Sequence, residues 1–337
     1  MQGLNQELVN ASYDSNFIYA NKTLSHKQDS VEVYNDQGIN HAENGHYDLA
    51  ISYFNKAIEQ DPGYIGSYCN RGITYYCKGN HEKAIEDYNK AIKLVLASET
   101  PDDSRHSTIY TNRGAAYGSK DEHAKAIKDF TKAIELNSRD AGAYNNRGLV
   151  YGNMLDFDRA IKDYNIAIEL NPDHVLAYNN RGLAYNLNGE PDRAIEDYDA
   201  VIRQNPDYAE AYYNRGGAYL TKGDIDQAIA DFTTTIQLKP NDSCAYNYRG
   251  VAYFNKGNFN QAIEEFTKAI ELDPDYAEVY HYRGNAYSLK GEVNLAIQDY
   301  TKAIEFKPDD AVPYYNRGVT YGRKGEFDTA IKDLIKR

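Results

Sequence analysis

The sequence predicts an all-α protein, a solenoid of nine antiparallel helix-turn-helix repeats of which the ninth is incomplete. Three observations predict it. The first is a period: an Arg-Gly pair returns at Arg71-Gly72, Arg113-Gly114, Arg147-Gly148, Arg181-Gly182, Arg215-Gly216, Arg249-Gly250, Arg283-Gly284 and Arg317-Gly318, with a degenerate copy at Gln37-Gly38. The glycines lie 34 residues apart, except for 42 between Gly72 and Gly114. The second is a spacing of three and four between recurring small and aromatic residues, the mark of helix faces. The third is punctuation by Gly and Pro at fixed places in each copy. A fixed period of this length means units that bury their apolar faces only against their neighbours.

The elements follow in chain order. Residues 1–30 are polar and fit no copy; FIYANKTL is either a short helix shielding the first repeat or disordered, and partial order is the preferred reading. The array fills 31–337 as 31–64, 65–106, 107–140, 141–174, 175–208, 209–242, 243–276, 277–310 and 311–337. Counting Val31 as slot 1, slot 4 is Tyr in every copy from Tyr34 to Tyr314, and slot 11 is Tyr from Tyr75 onward, after His41. These slots, with the marker Gly at slot 8, lie on a first helix, helix A. Gly at slot 15 (Gly45, Gly79, Gly189, Gly223, Gly257, Gly291, Gly325) stops it. Helix B carries Ala at slot 20 in every copy, Phe or Tyr at slot 24 in eight copies and mostly Ala at slot 27. Pro62, Pro172, Pro206, Pro240, Pro274 and Pro308 end it. The second copy carries eight extra residues within 93–108; helix B is expected to run through Leu96, after which a Ser/Pro/Asp-rich loop returns the chain. The chain given stops at Arg337, inside helix B of the ninth copy.

Facing slots of an antiparallel hairpin have a nearly constant sum. Tyr at 4 with Ala at 27, Gly at 8 with the aromatic at 24, and Tyr at 11 with Ala at 20 each sum to 31 or 32, and each pairs large with small, as close packing requires.

These slots resemble the tetratricopeptide repeat, with Tyr in place of the more familiar Trp at slot 4. The resemblance covers about nine-tenths of the chain. It implies a right-handed superhelix of helix pairs, with A helices lining a concave face and B helices outside. Slot 7 departs from the family, which usually has Leu there: it is Arg in eight copies and Gln37 in the first. Slot 23 is acidic in those eight copies (Asp87, Asp129, Asp163, Asp197, Asp231, Glu265, Asp299, Asp333) and Tyr53 in the first. Slots 7 and 23 sum to 30, so an Arg–carboxylate bridge within each repeat is expected, Arg181 with Asp197 for example. The matched loss in the first copy favours this structural role over a ladder for anionic ligands.

Composition removes several functions. Net charge is −13 and no basic stripe appears, against nucleic-acid binding. No stretch is long and apolar enough for a bilayer span. The N-terminus lacks the basic-then-apolar order of a signal peptide, so a cytoplasmic location is expected. Cys69 and Cys77 lie eight apart on one helix, roughly 12 Å at 1.5 Å per residue, and with Cys244 read as free thiols. The sequons at Asn10, Asn21 and Asn241 are then chance matches. The eight histidines show no metal-ligand spacing, and the glycines sit at packing slots, not in a phosphate loop. No catalytic residue, cofactor or metal is expected, and the chain reads as a non-enzyme.

The resemblance puts slots 2, 5, 6, 9, 12 and 13 on the concave face. Slot 6 holds Asn70, Asn112, Asn146, Asn180, Asn214 and Asn316, interrupted by Tyr248 and Tyr282; Asn145 and Asn179 stand at slot 5. A carboxamide offers one acceptor and two donors, so it can bond both groups of a peptide unit. The stack is similar to the asparagine ladder of the superhelical repeats of O-linked N-acetylglucosamine transferases, which implies a hold on partner backbone; support of helix packing is the alternative. The family's grip on acidic C-terminal tails is disfavoured, since slots 2, 5, 6 and 9 contain no Lys or Arg. Tyr213, Tyr248, Tyr282 and Tyr315 add an aromatic patch. The expected function is a non-catalytic scaffold or adaptor that holds an extended or helical polypeptide in its groove. Two alternatives stand beside it: a homo-oligomeric assembly protein joined through its C-terminal end, and the recognition region of a longer enzyme.

Overall fold

A computed structural model describes residues 31–97 and 103–335. Among them are eighteen helices and no strand. They fall in two compact units, divided between Ala184 and Tyr185. The first holds α1 (Val31–Glu43), α2 (Tyr47–Gln60), α3 (Ile65–Cys77), α4 (His81–Leu96), α5 (Asp103–Gly118), α6 (His123–Leu136), α7 (Ala141–Asn153), α8 (Phe157–Leu170) and most of α9 (Val175–Leu187). The second continues with α10 (Pro191–Gln204), α11 (Ala209–Lys222), α12 (Ile225–Leu238), α13 (Ser243–Asn255), α14 (Phe259–Leu272), α15 (Ala277–Leu289), α16 (Val293–Phe306), α17 (Ala311–Lys324) and α18 (Phe327–Leu334). The expected short helix or disordered stretch at 1–30 lies outside the described residues.

Close approach of helix A to helix B rests on the marker glycine. In the first unit, a Cβ on Gly148 would stand 2.8 Å from Tyr164 Cε1 and 3.2 Å from the Ala160 carbonyl oxygen. Only a bare Cα lets the slot-24 ring lie against the backbone. Phe54, Tyr88, Phe130 and Tyr164 in the first unit, and Tyr198, Phe232, Phe266 and Tyr300 in the second, are accordingly buried. The slot-20 alanines around them are buried too, from Ala50 to Ala330.

Seven turns between helix A and helix B place Gly at positive φ, Gly223 at 90° among them. In α5–α6 and α7–α8 the same slot holds Asp121 (φ 56°) and Leu155 (φ 60°), side chains in a region that penalises a Cβ. Five B helices end in an extended residue at slot 31 whose side chain folds back: Asp61, Asn137, Asn171, Asn205 and Asp273 accept from the backbone N–H two residues on.

The eight-residue insertion divides between helices. α4 runs to Leu96 as expected, but the chain is helical again from Asp103, so part of the Ser/Pro/Asp-rich stretch is an extra N-terminal turn of α5 and not a loop. Burial draws that turn in: His106 and Ser107 are buried, and the Ser107 hydroxyl donates to the Ala133 carbonyl at 3.1 Å.

Candidate peptide-binding groove

Slot-7 arginines turn out to be packing devices. Within the first unit Arg71, Arg113 and Arg147 each grip the slot-23 aspartate with two parallel hydrogen bonds; for Arg147 they are Nε to Asp163 Oδ2 at 2.7 Å and Nη2 to Oδ1 at 2.9 Å. In the second unit Arg215, Arg283 and Arg317 do the same, and Arg249 meets Glu265 at 2.9 Å. The third arm, Nη1, reaches slot 25 of the preceding copy: Asn55, Asn89, Thr131 and Asn165 in the first unit, Asp199, Thr233, Thr267 and Thr301 in the second. The guanidinium also lies over the slot-4 ring, 5.7 Å from the Tyr144 centroid for Arg147. One side chain therefore joins its own helices A and B to the B helix before them, and in the copies whose bridge is described above each nitrogen arm except Arg249 Nε is aimed at a partner inside the protein. The slot-25 acceptor escaped the sequence reading; its signal was a polar Asn, Thr or Asp in eight copies beside an Arg in the next.

A long cleft belongs to the first unit. It measures about 1070 Å³ and follows the start of α3, α7 and α9 and the middle of α5. Its lining includes Gly66, Cys69, Ile73, Thr111, Asn112, Asn146 and Leu176, all at slots 2, 5, 6 or 9. Other A-helix residues, Ile65, Ile109 and Val175 among them, also line it, together with the turns that lead into the A helices, among them Asp61, Tyr64, Arg139, Asp173 and His174. Those turn residues were missed. Their signal is variation inside a regular frame: Gly63-Tyr64, Arg139-Asp140 and Asp173-His174 occupy the same two slots.

The predicted asparagines sort into three groups. Asn70, Asn145, Asn146, Asn179 and Asn180 are buried and lie between A helices. Asn70 Nδ2 donates to Asn35 Oδ1 at 3.0 Å, Asn180 Nδ2 to Asn145 Oδ1 at 3.1 Å, and Asn145 Nδ2 to Asn146 Oδ1 at 3.3 Å. A slot-6 amide thus bonds the slot-5 residue of the copy before, a link along the stack. Asn112 is buried as well and, like Asn146, lines the cleft, but it has no hydrogen-bond partner among the described residues. In the second unit Asn214 and Asn316 are half-buried. Asn316 Nδ2 lies 3.1 Å from Asn285 Oδ1 and 3.3 Å from His281 Nε2; burial pushes the His281 imidazole below its ordinary pKa.

The four tyrosines do not form one surface. Tyr248 is 6% exposed, its ring stacked on Phe232 and edge-on to Tyr213 at 5.5 Å. Tyr282 stacks on Phe266. These rings fill space left by the slot-24 aromatics. Tyr315, 60% exposed, stands on the surface, near exposed Val312 on the same helix.

Among the described residues no group of three His, Cys, Asp or Glu side chains is placed to hold a metal, and no helix is long and apolar enough to cross a membrane. The three cysteines are free.

The fold and the slots define a helical-hairpin repeat protein of the kind that serves as a protein-interaction scaffold. The chain belongs to the tetratricopeptide repeat family. Profiles described as tetratricopeptide repeat match residues 31–64, 65–139, 141–174, 164–196 and 188–243, and one described as TPR repeat matches 252–291 and 284–325. Among solved structures the chain is similar to a tetratricopeptide repeat protein from Parabacteroides merdae, with 22% identity and a TM-score of 0.59 over 76% of this chain and 98% of that one. It is also similar to a chain of the Cut9–Hcn1 hetero-tetramer of the APC/C, with 17% identity and a TM-score of 0.60 over 81% of this chain and 52% of that one. Both likenesses concern the fold. No curated protein sequence matches the chain.

Proposed function

We propose that the protein is a non-catalytic cytoplasmic scaffold that holds a polypeptide segment along its A helices. The observation that carries this reading is the first-unit cleft, which runs over successive A helices and collects residues from slots 2, 5, 6 and 9 of several copies. A cleft shared by consecutive repeats suits a ligand that is itself a chain. Asn112 offers its amide to partner backbone, and Asn146 contributes a wall of the same cleft. The buried Asn70, Asn145, Asn179 and Asn180 set the spacing of the A helices, and so act through positioning. In the second unit Asn214, Asn316 and Tyr315 offer a further surface, with Tyr213, Tyr248 and Tyr282 as support behind it. The acidic chain, at −13, favours polypeptide over nucleic acid as partner.

The test is affinity capture from native lysate with the wild type beside Asn112→Ala, Leu176→Lys, read by quantitative mass spectrometry. A partner recovered by the wild type and depleted about tenfold or more on the variant, at unchanged melting temperature, is the expected result, since a buried charge at the centre of a contact costs several kcal/mol. Equal recovery by both proteins would refute binding in this cleft.

A further inference from the structure

We infer that the first-unit cleft selects an extended segment in which aliphatic side chains alternate with lysine or arginine; this deepens the scaffold reading and rests on it. The floor is aliphatic: Ile73 and Ile109 are buried and Ile65, Val175 and Leu176 half-buried along the cleft. The volume, about 1070 Å³, exceeds the roughly 300–1,000 Å³ usual for small-molecule sites, which suits several residues of chain. Aliphatic pockets recurring along successive helices, with Asn112 between them, fit a segment that points alternate side chains inward.

Charge decides what stands between those side chains. Three carboxylates and one guanidinium line the cleft: Asp61, Asp140 and Asp173 against Arg139. Asp140 is already engaged, capping α7 through the Ala143 N–H at 3.0 Å and accepting from the Ser107 and Thr111 hydroxyls. Asp61 and Asp173 are exposed at the rim. Asp61 accepts from the Gly63 N–H through one oxygen only, which leaves its charge facing solvent. Arg139 stands on the α6–α7 turn, between the turns that carry the two rim aspartates, so cationic side chains are drawn to either side of it. The net charge of the whole chain, −13, adds a field of the same sign. An acidic segment would meet this rim and field with repulsion.

The experiment uses the full chain and three fluorescein-labelled peptides, each of six Xaa-Leu units with Xaa Lys, Gln or Glu, titrated by fluorescence anisotropy at low and high salt. The Lys peptide is expected to bind most tightly and the Glu peptide least, with the gap closing at high salt. Asp61→Asn with Asp173→Asn is expected to weaken the Lys peptide about 3- to 10-fold and the Gln peptide less than about 2-fold, as exposed charge pairs allow. Asn at position 61 keeps the acceptor for Gly63, and circular dichroism melting reports whether either variant has lost its fold. Leu176→Lys is expected to weaken the Lys and Gln peptides alike. If the three peptides bind equally and Leu176→Lys weakens them all, the charge preference is wrong while chain binding in the cleft stands. If no peptide binds, or Leu176→Lys weakens none, the inference falls, and the second result also counts against the cleft as the binding site.

Discussion

Arg147 shows what a single side chain does in this array. Its head is bidentate on Asp163, reaches Thr131 of the copy before and covers the Tyr144 ring. The side chains of Arg147 and Asp163 are 17% and 5% exposed, so both charges are largely out of water. Desolvation then takes back much of the Coulombic gain, and the pair contributes less to net stability than its geometry suggests. Breaking it is another matter, because the survivor is a buried charge without its counter-ion. Asp163→Ala is expected to cost about 3–5 kcal/mol in urea unfolding, and Arg147→Met with Asp163→Ala together distinctly less than the sum of the single losses. Additive losses would show that the two residues do not act as a pair. The arginine-acid match was legible in the sequence because both members vanish together in the first copy, at Gln37 and Tyr53. The Thr131 link was not, since it joins slots in different copies and a hairpin sum rule sees only one. The asparagine series is plain in the sequence, but slot identity cannot say whether an amide faces a groove or the next helix, and Asn180 faces Asn145.

At the scale of the element, the turn between helix A and helix B is the most constrained stretch of each copy. Seven of the turns answer a positive φ with Gly, and α7–α8 answers it with Leu155, whose side chain is 72% exposed. A Cβ in this region costs about 1–2 kcal/mol, and Gly returns roughly 0.5–1 kcal/mol of that as extra freedom in the unfolded chain. Leu155→Gly should therefore stabilise by about 0.5–1 kcal/mol, raising the melting temperature by about 1–3 °C in a calorimetric scan. A lower melting temperature would mean that exposed Leu155 makes a contact worth more than its strain. The sequence held this clue as a missing Gly at slot 15 in two consecutive copies, 107–140 and 141–174. The insertion was harder to read. Ser, Pro and Asp signal a loop, yet Ser107 and His106 bury against the repeat, and that tertiary gain extends α5 by a turn.

For the molecule as a whole, the fold was legible because one packing rule repeats and each copy confirms the others: a Gly at slot 8 is weak information once, and decisive when it recurs at one period. The cleft was legible only in outline, because its lining turns sit where copies differ, and differences such as Arg139-Asp140 against Asp173-His174 carry no period. The same architecture predicts how damage spreads. Stability in a linear array is close to a sum of unit and nearest-neighbour terms, so a lesion is felt locally. Gly148→Ala drives a methyl into the Tyr164 ring and toward the Ala160 carbonyl, at 2.8 and 3.2 Å, and overpacking of this kind costs about 1–3 kcal/mol. In native-state hydrogen exchange, amides of α7 and α8 should lose protection first, those of α6 and α9 to a smaller degree, while α13 to α16 keep wild-type rates. Faster exchange by one common factor across all these helices would show that the array opens as a single cooperative body, and nearest-neighbour stability would then fail for this protein.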